Sequence, residues 1–323
     1  MVHISILVPY TAVPAAIVDP RYMFTAVNGF LVNAGKEPLF HVQLVGLARE
    51  VSLNDGLFTI RPDVLVKDVK KTDLVIVPAI SGDVDAALDV NEELLPWIVD
   101  QYHGGAEVAS LCIGAFLLAA TGLMDGKACS THWLYADLFR EMFPEVQLVD
   151  DKIITEQNRL YSSGGANSYW NLLLYLVEKH TDREMAILAS KYFVIETMRN
   201  SQSPFIIFKS QKTHKDETIR KAQEYIEQHY MDRISVEQLA DMLATGRRSL
   251  ERRFKAATTN TVAEYIQRVK MEAAKKSFET RRDNINEVMY SVGYTDPKAF
   301  RSIFRKVTGL SPVEYRNKYR RSA

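Results

Sequence analysis

Short apolar runs alternate with longer stretches of helical spacing through the first two hundred residues. Four runs are almost continuously apolar, as in strands buried on both faces of a parallel sheet: His3–Pro9, Phe40–Leu47, Leu74–Pro78 and Val108–Leu111. The spacing of apolar residues predicts helices over Ala87–Asp100, Ile113–Thr121 and Trp170–Lys179. Strands that alternate with helices indicate βαβ units, so we expect a three-layer α/β domain with a flavodoxin-like parallel sheet.

The pattern changes beyond this region. Residues 201–217 are polar except for Phe205–Phe208, and we interpret them as a linker with a small apolar anchor. From there the spacing is helical to the last residue, and no long repeat is apparent. The pattern therefore divides the chain into an α/β domain at 1–200, the linker at 201–217 and an all-α domain at 218–323.

Two helix-turn-helix units are predicted in the all-α domain, at Ser235–Ala257 and Ile285–Thr308. In each, a short break separates a helix with one apolar face from a second helix that is apolar on one side and basic on the other. One long helix, Val262–Glu279, is predicted between them. Ser235 and Asp296 are suited to cap helices in the two units. Two such basic helices can enter successive major grooves, roughly 34 Å apart.

The net charge of zero hides a segregation of charge. Residues 1–210 carry 16 Lys+Arg and 25 Asp+Glu, a net charge of −9, and residues 211–323 carry 24 and 15, a net charge of +9. A basic third of this kind points to nucleic acid, although a solvated basic face would give the same count. The tandem basic helices favour double-stranded DNA, because arginine and lysine read bases and bind phosphate there.

The residues expected to contact DNA fall into two groups. The candidates for base readout are Arg248, Ser249, Arg252, Lys298 and Arg301, on the second helix of each unit. Arg305 and Lys306 are expected to contact phosphate, and Arg247 also lies on the basic face.

Composition narrows the class of protein. With 323 residues, 47% of them hydrophobic and 25% charged, the chain is typical of a soluble globular protein with two domains. No apolar run approaches the ~20 residues of a membrane span, and no basic segment precedes the first apolar run, so neither a membrane partner nor a secretory signal is expected. Two cysteines, Cys112 and Cys129, fit a reducing cytoplasm. Metal-ligand spacings and phosphate-binding loops are absent from the sequence, so no metal and no cofactor are expected.

The C-terminal third contains a series of short motifs that together are specific to one protein family. It consists of Gly293-Tyr294, Phe300-Arg301, Phe304-Arg305-Lys306, Gly309-Leu310-Ser311-Pro312 and Tyr315-Arg316. With these motifs, residues 218–320 resemble the DNA-binding domain of AraC-type transcription regulators. Two positions depart from the pattern: Gly246 replaces a capping serine and Met289 replaces a small alanine. The resemblance implies operator DNA as the partner and a homodimer as the assembly.

In the α/β domain, an apolar strand runs directly into Cys112-Ile113-Gly114 and then into an apolar helix. Such a turn places a thiol at a helix N-terminus, where the helix dipole lowers its pKa. A buried structural cysteine would give the same pattern. Elsewhere in this domain, Tyr169 and Trp170 could line a pocket, but core packing is the expected role of both.

Four motifs extend this picture: Ala109-Ser110-x-Cys112-x-Gly114-Ala115-Phe116, Gly122–Lys127, Thr131-His132-Trp133 and Ser162-Ser163-Gly164-Gly165. Together they resemble the class I glutamine-amidotransferase-like superfamily in its PfpI-type branch, over about residues 1–195. The best match is to the sensor domains fused to AraC-type DNA-binding domains. The resemblance implies a site for a small-molecule effector near Cys112, His132 and Gly165.

Hydrolytic members of that superfamily pair the cysteine with a histidine immediately after it and with a glutamate after the first strand. Here Ile113 follows Cys112, and Thr11–Val18 contains no acid. Catalysis is therefore not expected, because a nucleophile needs a base and an orienting group. Two alternatives stay open: a Cys112-dependent amidase or deglycase-like hydrolase tethered to DNA, and an α/β domain that only dimerises.

Overall fold

The computed structural model describes residues 1–196, 201–208, 211–212 and 214–319. The chain separates into two compact units, Met1–Gln202 and Ser203–Ala323. Within the described ranges, no helix is both long enough and apolar enough to cross a membrane.

The first unit is built on a seven-stranded sheet. Its strands are β1 Val2–Leu7, β2 Phe40–Gly46, β5 Val64–Leu65, β6 Leu74–Val77, β7 Glu107–Leu111, β10 Ile154–Gln157 and β11 Leu160–Ser163, with two small strand pairs beside them: β3 Val51–Leu53 with β4 Phe58–Ile60, and β8 Ala128–Cys129 with β9 Gln147–Leu148. The order in the sheet is β10-β11-β7-β6-β1-β2-β5, and every pairing is parallel except that of β10 with β11. The five longer parallel elements follow the flavodoxin-like order, which confirms the expected fold class.

Helices cover both faces of this sheet. They are α1 Pro14–Asn33, α2 Val84–Asp89, α3 Leu94–His103, α4 Ala115–Ala120, α5 Ala136–Met142, α6 Tyr169–His180 and α7 Arg183–Tyr192. Alternate residues of one strand serve the two cores, since Ile4 and Ile6 of β1 pack with α1, α6 and α7, whereas Leu7 packs with α2 to α5. Burial on both faces explains why these strands are continuously apolar in the sequence.

The single helix expected over Ala87–Asp100 is wrong, because α2 ends at Asp89 and α3 begins at Leu94. Asn91 fills the break: its side-chain amide donates to the Ala87 carbonyl at 2.8 Å and accepts from the Tyr10 backbone N–H at 2.8 Å. Pro96 lies in the first turn of α3, where a missing N–H costs nothing. In one continuous helix Pro96 would have removed an interior hydrogen bond.

The second unit is all helical in its described part. Its helices are α8 Glu217–Gln228, α9 Val236–Met242, α10 Arg247–Thr258, α11 Val262–Thr280, α12 Ile285–Ser291, α13 Pro297–Thr308 and α14 Pro312–Tyr319. The start of α11 completes a core with α8, α9 and α10, and its end completes a separate core with α12, α13 and α14. The long helix and the two helix-turn-helix units are confirmed.

The two halves of this unit repeat each other with a period of 50 residues, which the sequence analysis missed. Phe254, Thr258 and Tyr265 correspond to Phe304, Thr308 and Tyr315. Each threonine hydroxyl donates to the carbonyl of the phenylalanine four residues earlier, at 2.8 Å in both halves. The next helix then begins with a hydroxyl paired to a glutamate in each half, Thr261 with Glu264 and Ser311 with Glu314.

The expected caps are present as well. Ser235 Oγ accepts from the Gln238 N–H at 3.1 Å, and Asp296 Oδ1 accepts from the Lys298 N–H at 2.8 Å. Gly246 precedes α10 without a side-chain cap. The second helices of the two units, α10 and α13, which we call the recognition helices, therefore begin differently.

A charged cluster lies at the amino end of β7, where Glu107 is bound by the end of α6. Its Oε1 is 2.9 Å from Lys179 Nζ and its Oε2 is 3.5 Å from His180 Nε2. Burial alone would raise the pKa of Glu107, but the nearby His180 and the ion pair with Lys179 outweigh it and lower the pKa to about 2. The ionised carboxylate therefore stabilises the folded state.

We expect Glu107→Gln to flatten the acid limb of the stability profile. A depressed pKa contributes stability that is fully present above the unfolded pKa, about 4.3, and is lost as the pH falls towards 2. The variant should therefore be less stable than the wild type at pH 7 and lose less between pH 5 and 2, as measured by thermal unfolding. Glu145→Gln, at an exposed carboxylate, is the control. Parallel pH profiles for wild type and Glu107→Gln would contradict the assignment.

Candidate functional site

The residues expected to bind an effector follow the carboxyl ends of neighbouring strands. Cys112 comes directly after β7, Gly165 follows β11 by two residues, and His132 follows β8 by three. The carboxyl edge of an open parallel sheet is where ligands bind in doubly wound folds. The topology therefore brings Cys112 and Gly165 to one edge of the sheet. The segment of His132 follows a strand of the small pair β8–β9, and the hydrogen bond from Thr131 Oγ1 to the Cys112 carbonyl brings it to the same edge.

Cys112 occupies a strained turn. Its φ of 54° lies in the left-handed region, which is uncommon for a residue with a side chain. A short 3-10 turn, Cys112–Gly114, then leads into α4, so the helix begins two residues later than expected. At Gly114 a Cβ atom would lie 2.4 Å from the Pro78 carbonyl oxygen, so only glycine lets the turn pack against the end of β6.

The thiol of Cys112 is neutral at physiological pH. Its side chain is only 5% exposed, and burial raises its pKa to about 12, against a smaller opposing effect of a backbone hydrogen bond. The expected lowering by the helix dipole does not prevail, because α4 has only six residues and the sulfur is removed from water. A neutral thiol is a poor nucleophile.

Hydrogen bonds tie the Cys112 backbone to the neighbouring segments. Its N–H donates to Ser163 Oγ at 3.3 Å, and its carbonyl accepts from Thr131 Oγ1 at 3.1 Å. Next to Thr131, the ring of His132 is half-buried, and burial lowers its pKa. His132 Nδ1 accepts from the Leu134 N–H at 3.1 Å, so the proton of the neutral ring lies on Nε2 and is available as a donor.

One acidic residue of the first unit was not predicted from the sequence. Asp19, which directly follows the acid-free segment Thr11–Val18, lies on α1 and accepts a hydrogen bond from Tyr169 OH at 2.6 Å. Burial raises the pKa of Tyr169, and so does its hydrogen bond to Asp19. Tyr169 is thus buried as expected, and its hydroxyl joins α6 to α1. The only sequence signal for Asp19 is that it is the first acidic residue after β1.

The candidate DNA-contacting residues lie on the surfaces of α10 and α13. Ser249 is half-exposed, and all of the basic candidates are exposed: Arg247, Arg248, Arg252, Lys298, Arg301, Arg305 and Lys306. Among them, Arg247 is bound by Glu237 and lies 3.2 Å from Glu251. Within the described residues the other six basic side chains make no ion pair, so their charge is available to a partner.

The repeat sharpens the difference between the two recognition helices. Position 301 corresponds to position 251, so α13 carries Arg301 where α10 carries Glu251. No acidic residue lies within Pro297–Thr308. On α10, the charge of Arg253 is also paired, because its guanidinium forms two hydrogen bonds with Asp216, at 2.6 and 2.8 Å. The second helix therefore has the more uniformly cationic face.

Two sequence models of known protein families match this chain, one within each compact unit. A sequence model of the DJ-1/PfpI family matches residues 26–179, and a model described as a helix-turn-helix domain matches residues 239–318. The HTH-type transcriptional regulator GbdR of Pseudomonas aeruginosa is 27% identical over 269 residues, which are 83% of this chain and 72% of that protein. The HTH-type transcriptional regulator ArgR of the same species is 26% identical over 219 residues, 68% of this chain and 66% of that protein.

A solved structure shares the fold. The crystal structure of an AraC family transcriptional regulator from Pseudomonas putida has a TM-score of 0.50 and 17% sequence identity, and the match covers 60% of this chain and 100% of that one. The two domains define a DNA-binding transcription regulator. More particularly, the chain combines an AraC-type helix-turn-helix domain with an N-terminal domain of the DJ-1/PfpI type.

Proposed function

We propose that residues 1–202 bind a small polar effector at the carboxyl edge of the sheet, and that its binding regulates how residues 203–323 bind operator DNA. The observation that carries this proposal is the buried Cys112 in its strained turn, whose carbonyl accepts from Thr131, next to the His132 donor. We include in the proposed site the carboxylate of Asp19, which accepts from Tyr169. These groups suit recognition through hydrogen bonds. In cells the regulator acts in the cytoplasm, where operator DNA is accessible.

The same observation argues against catalysis. A cysteine nucleophile needs a thiolate or an adjacent base, and the pKa of about 12 leaves almost no thiolate at pH 7. In the described structure no hydrogen bond joins Cys112 to His132, whose Nδ1 is occupied by the Leu134 N–H. Binding without reaction is the function that this chemistry supports.

Regulation requires the effector to favour one arrangement of the protein over another. A ligand with equal affinity for the DNA-binding and non-binding arrangements changes nothing, however tightly it binds. Couplings in other regulators typically change affinity by about 5- to 150-fold. An effector of this protein is expected to fall in that range.

A thermal-shift screen of the full chain against amino acids, amines, carboxylic acids and sugars tests the proposal. A compound at 100 times its Kd should stabilise the folded state by about 2.7 kcal/mol and raise the unfolding temperature. His132→Ala and Asp19→Asn should lose the shift, since each removes one polar group of the site. His103→Ala, at an exposed histidine, is the matched control.

Cys112→Ala separates sensing from catalysis. A sensor loses at most one polar contact and should keep a weakened thermal shift, whereas a cysteine hydrolase should lose its turnover entirely. A compound consumed by the wild type but not by Cys112→Ala would establish the hydrolase instead. The absence of any hit in a broad panel would favour a domain that only dimerises.

For DNA we propose that the base-reading residues are Arg248, Ser249, Arg252, Lys298 and Arg301, with Arg305 and Lys306 on phosphate. Arg247 then acts mainly by positioning α10, because Glu237 and Glu251 hold its guanidinium. The free cations of α13 support a leading role for the second unit in affinity.

Arg301→Ala should weaken binding to DNA sequences selected by the wild type by about 1–3 kcal/mol and relax the preference at one base position. Arg247→Ala is the matched control and should cost less, since its charge is already paired. Fluorescence anisotropy with selected and scrambled duplexes measures both. An equal loss on every duplex would assign Arg301 to phosphate, and an equal loss for Arg247→Ala would contradict its positioning role.

We further propose that the regulator is a homodimer, paired through an apolar surface on α1 and α7. Val18, Tyr22, Leu188 and Tyr192 are each at least 44% exposed, and the hydroxyls of Tyr22 and Tyr192 lie 3.0 Å apart. A contiguous apolar patch of this kind favours a protein interface over solvent. Two identical subunits also match operators with two-fold symmetry.

Light scattering should therefore give a mass of about 73 kDa, twice the 36.7 kDa of the chain. Tyr192→Glu should shift the mass towards the monomer, because an unpaired charge would be buried at the interface. Tyr290→Glu, at an exposed tyrosine on α12, should leave it unchanged. A monomeric wild type at tens of micromolar would contradict the dimer.

A further inference from the structure

Gln202, the last residue of the first unit, is a buried side chain in a segment that its sequence marks as linker. It is 1% exposed. Its Nε2 donates to the carbonyls of Thr131 at 2.9 Å and Lys152 at 3.2 Å, and its Oε1 accepts from the Trp133 N–H at 3.3 Å. Its own N–H donates to the Asp151 carbonyl at 2.8 Å. Both the nitrogen and the oxygen of the side-chain amide are therefore hydrogen-bonded to the first unit, whereas a linker residue would be exposed to solvent.

The side chain of Gln202 packs against Gly164 and Ser130. At Gly164 a Cβ atom would lie 2.2 Å from Gln202 Nε2 and 2.7 Å from Ser130 Oγ. The amide occupies the space that any other residue at 164 would fill. Ser130 Oγ itself donates to the Lys152 carbonyl at 2.6 Å, which is one of the acceptors of Gln202.

The contacts of Gln202 enclose the candidate effector site. Thr131 and Trp133 are the residues on either side of His132, and both are bound by the Gln202 amide. Thr131 also donates to the Cys112 carbonyl at 3.1 Å. A change in the position of His132 or of the Cys112 turn therefore acts on the hydrogen bonds of Gln202.

The residues that follow Gln202 belong to the DNA-binding unit and contact both of its halves. The Pro204 carbonyl accepts from Tyr319 OH at 3.2 Å, in the second half. The Phe208 N–H donates to Glu272 at 3.1 Å, and the Phe208 ring packs 5.1 Å from that of Tyr265, in the first half. Residues 203–208 are thus bound to the same helices that support the two recognition helices.

We propose that Gln202 is a positioning residue that couples the effector site to the DNA-binding unit. Its amide fixes the start of the connecting segment to the wall around His132, and an effector that displaces residues 130–133 releases or strengthens this attachment. The inference rests on the proposed effector function for its physiological meaning. The coupling itself, however, is a property of the chain and is measurable without an effector.

A double-mutant cycle tests the coupling. Gln202→Ala removes the amide, and Gly164→Ala pushes a methyl group into its place. Each should lower the affinity of the full chain for wild-type-selected DNA at least about fivefold, because a released connector holds the DNA-binding units less firmly in the binding arrangement. The double variant should lose less affinity than the two single losses combined, since the alanine at 202 removes the closer clash of the methyl group and leaves only the contact with Ser130 Oγ.

Controls separate coupling from a general loss of structure. Gln147→Ala removes an exposed glutamine of the same unit and should bind DNA as the wild type does. Gln202→Glu keeps the shape but replaces the Nε2 donor with an oxygen that faces the Thr131 and Lys152 carbonyls, so it should act like Gln202→Ala in a chain whose packing is preserved. Hydrogen exchange of the Trp133 amide, which Gln202 protects, should accelerate in the Gln202→Ala variant but not in Gln147→Ala.

Two results would overturn the proposal. One is unchanged DNA affinity in folded Gln202→Ala and Gln202→Glu chains. The other is a double variant whose loss equals the two single losses combined, which would make Gly164 and Gln202 independent. Failure of the effector function would instead appear as a metabolite panel without a hit, so the two proposals fail in different assays.

Discussion

The close approach of α4 to the end of β6 determines how the first unit is arranged around its candidate site. Gly114 permits this approach, because the carbonyl oxygens of Val77 and Pro78 occupy the space where a side chain would begin. The chain must then turn sharply between β7 and α4, and Cys112 takes a left-handed conformation as a result. The segments 130–133 and 163–165 gather around this turn through hydrogen bonds to its backbone. One steric constraint thus sets the geometry of the whole edge.

The second unit depends on α11 in a comparable way. The nineteen residues of this helix span about 28 Å, and its two ends complete two separate apolar cores. Each core holds one recognition helix, so the helix sets the spacing between them. The charges on the two halves differ, since Glu251 neutralises part of α10 while α13 has no acid. Similar folds in the two halves therefore present different surfaces to DNA.

Much of this architecture is predictable from sequence because burial on both faces leaves a continuous apolar signal. The strands Leu74–Pro78 and Val108–Leu111 were located to within a residue or two, and so was α11. The break between α2 and α3 was missed, because Asn91 ends the helix through a long-range contact with Tyr10 that no local pattern contains. The repeat is hard to detect in the sequence because the distance between equivalent residues is not constant. It is 49 residues between Ala244 and Gly293, which both adopt a left-handed conformation, and 50 residues from the recognition helices onward.

The residues of the candidate site also divide into those that the sequence predicts and those that it does not. Cys112 and His132 stand in recognisable motifs, but Asp19 and Gln202 acquire their roles only when the chain folds, the first by facing Tyr169 and the second by entering a polar wall. A left-handed cysteine costs of order 1–3 kcal/mol, and such strain persists where the surrounding structure enforces it. Here the residue after the cysteine is Ile113, whose side chain cannot act as a base, and burial raises the pKa of the thiol to about 12. The proposed effector would therefore be held by hydrogen bonds rather than attacked by the thiol, and the energy of its binding would act on the segments that are hydrogen-bonded to the turn.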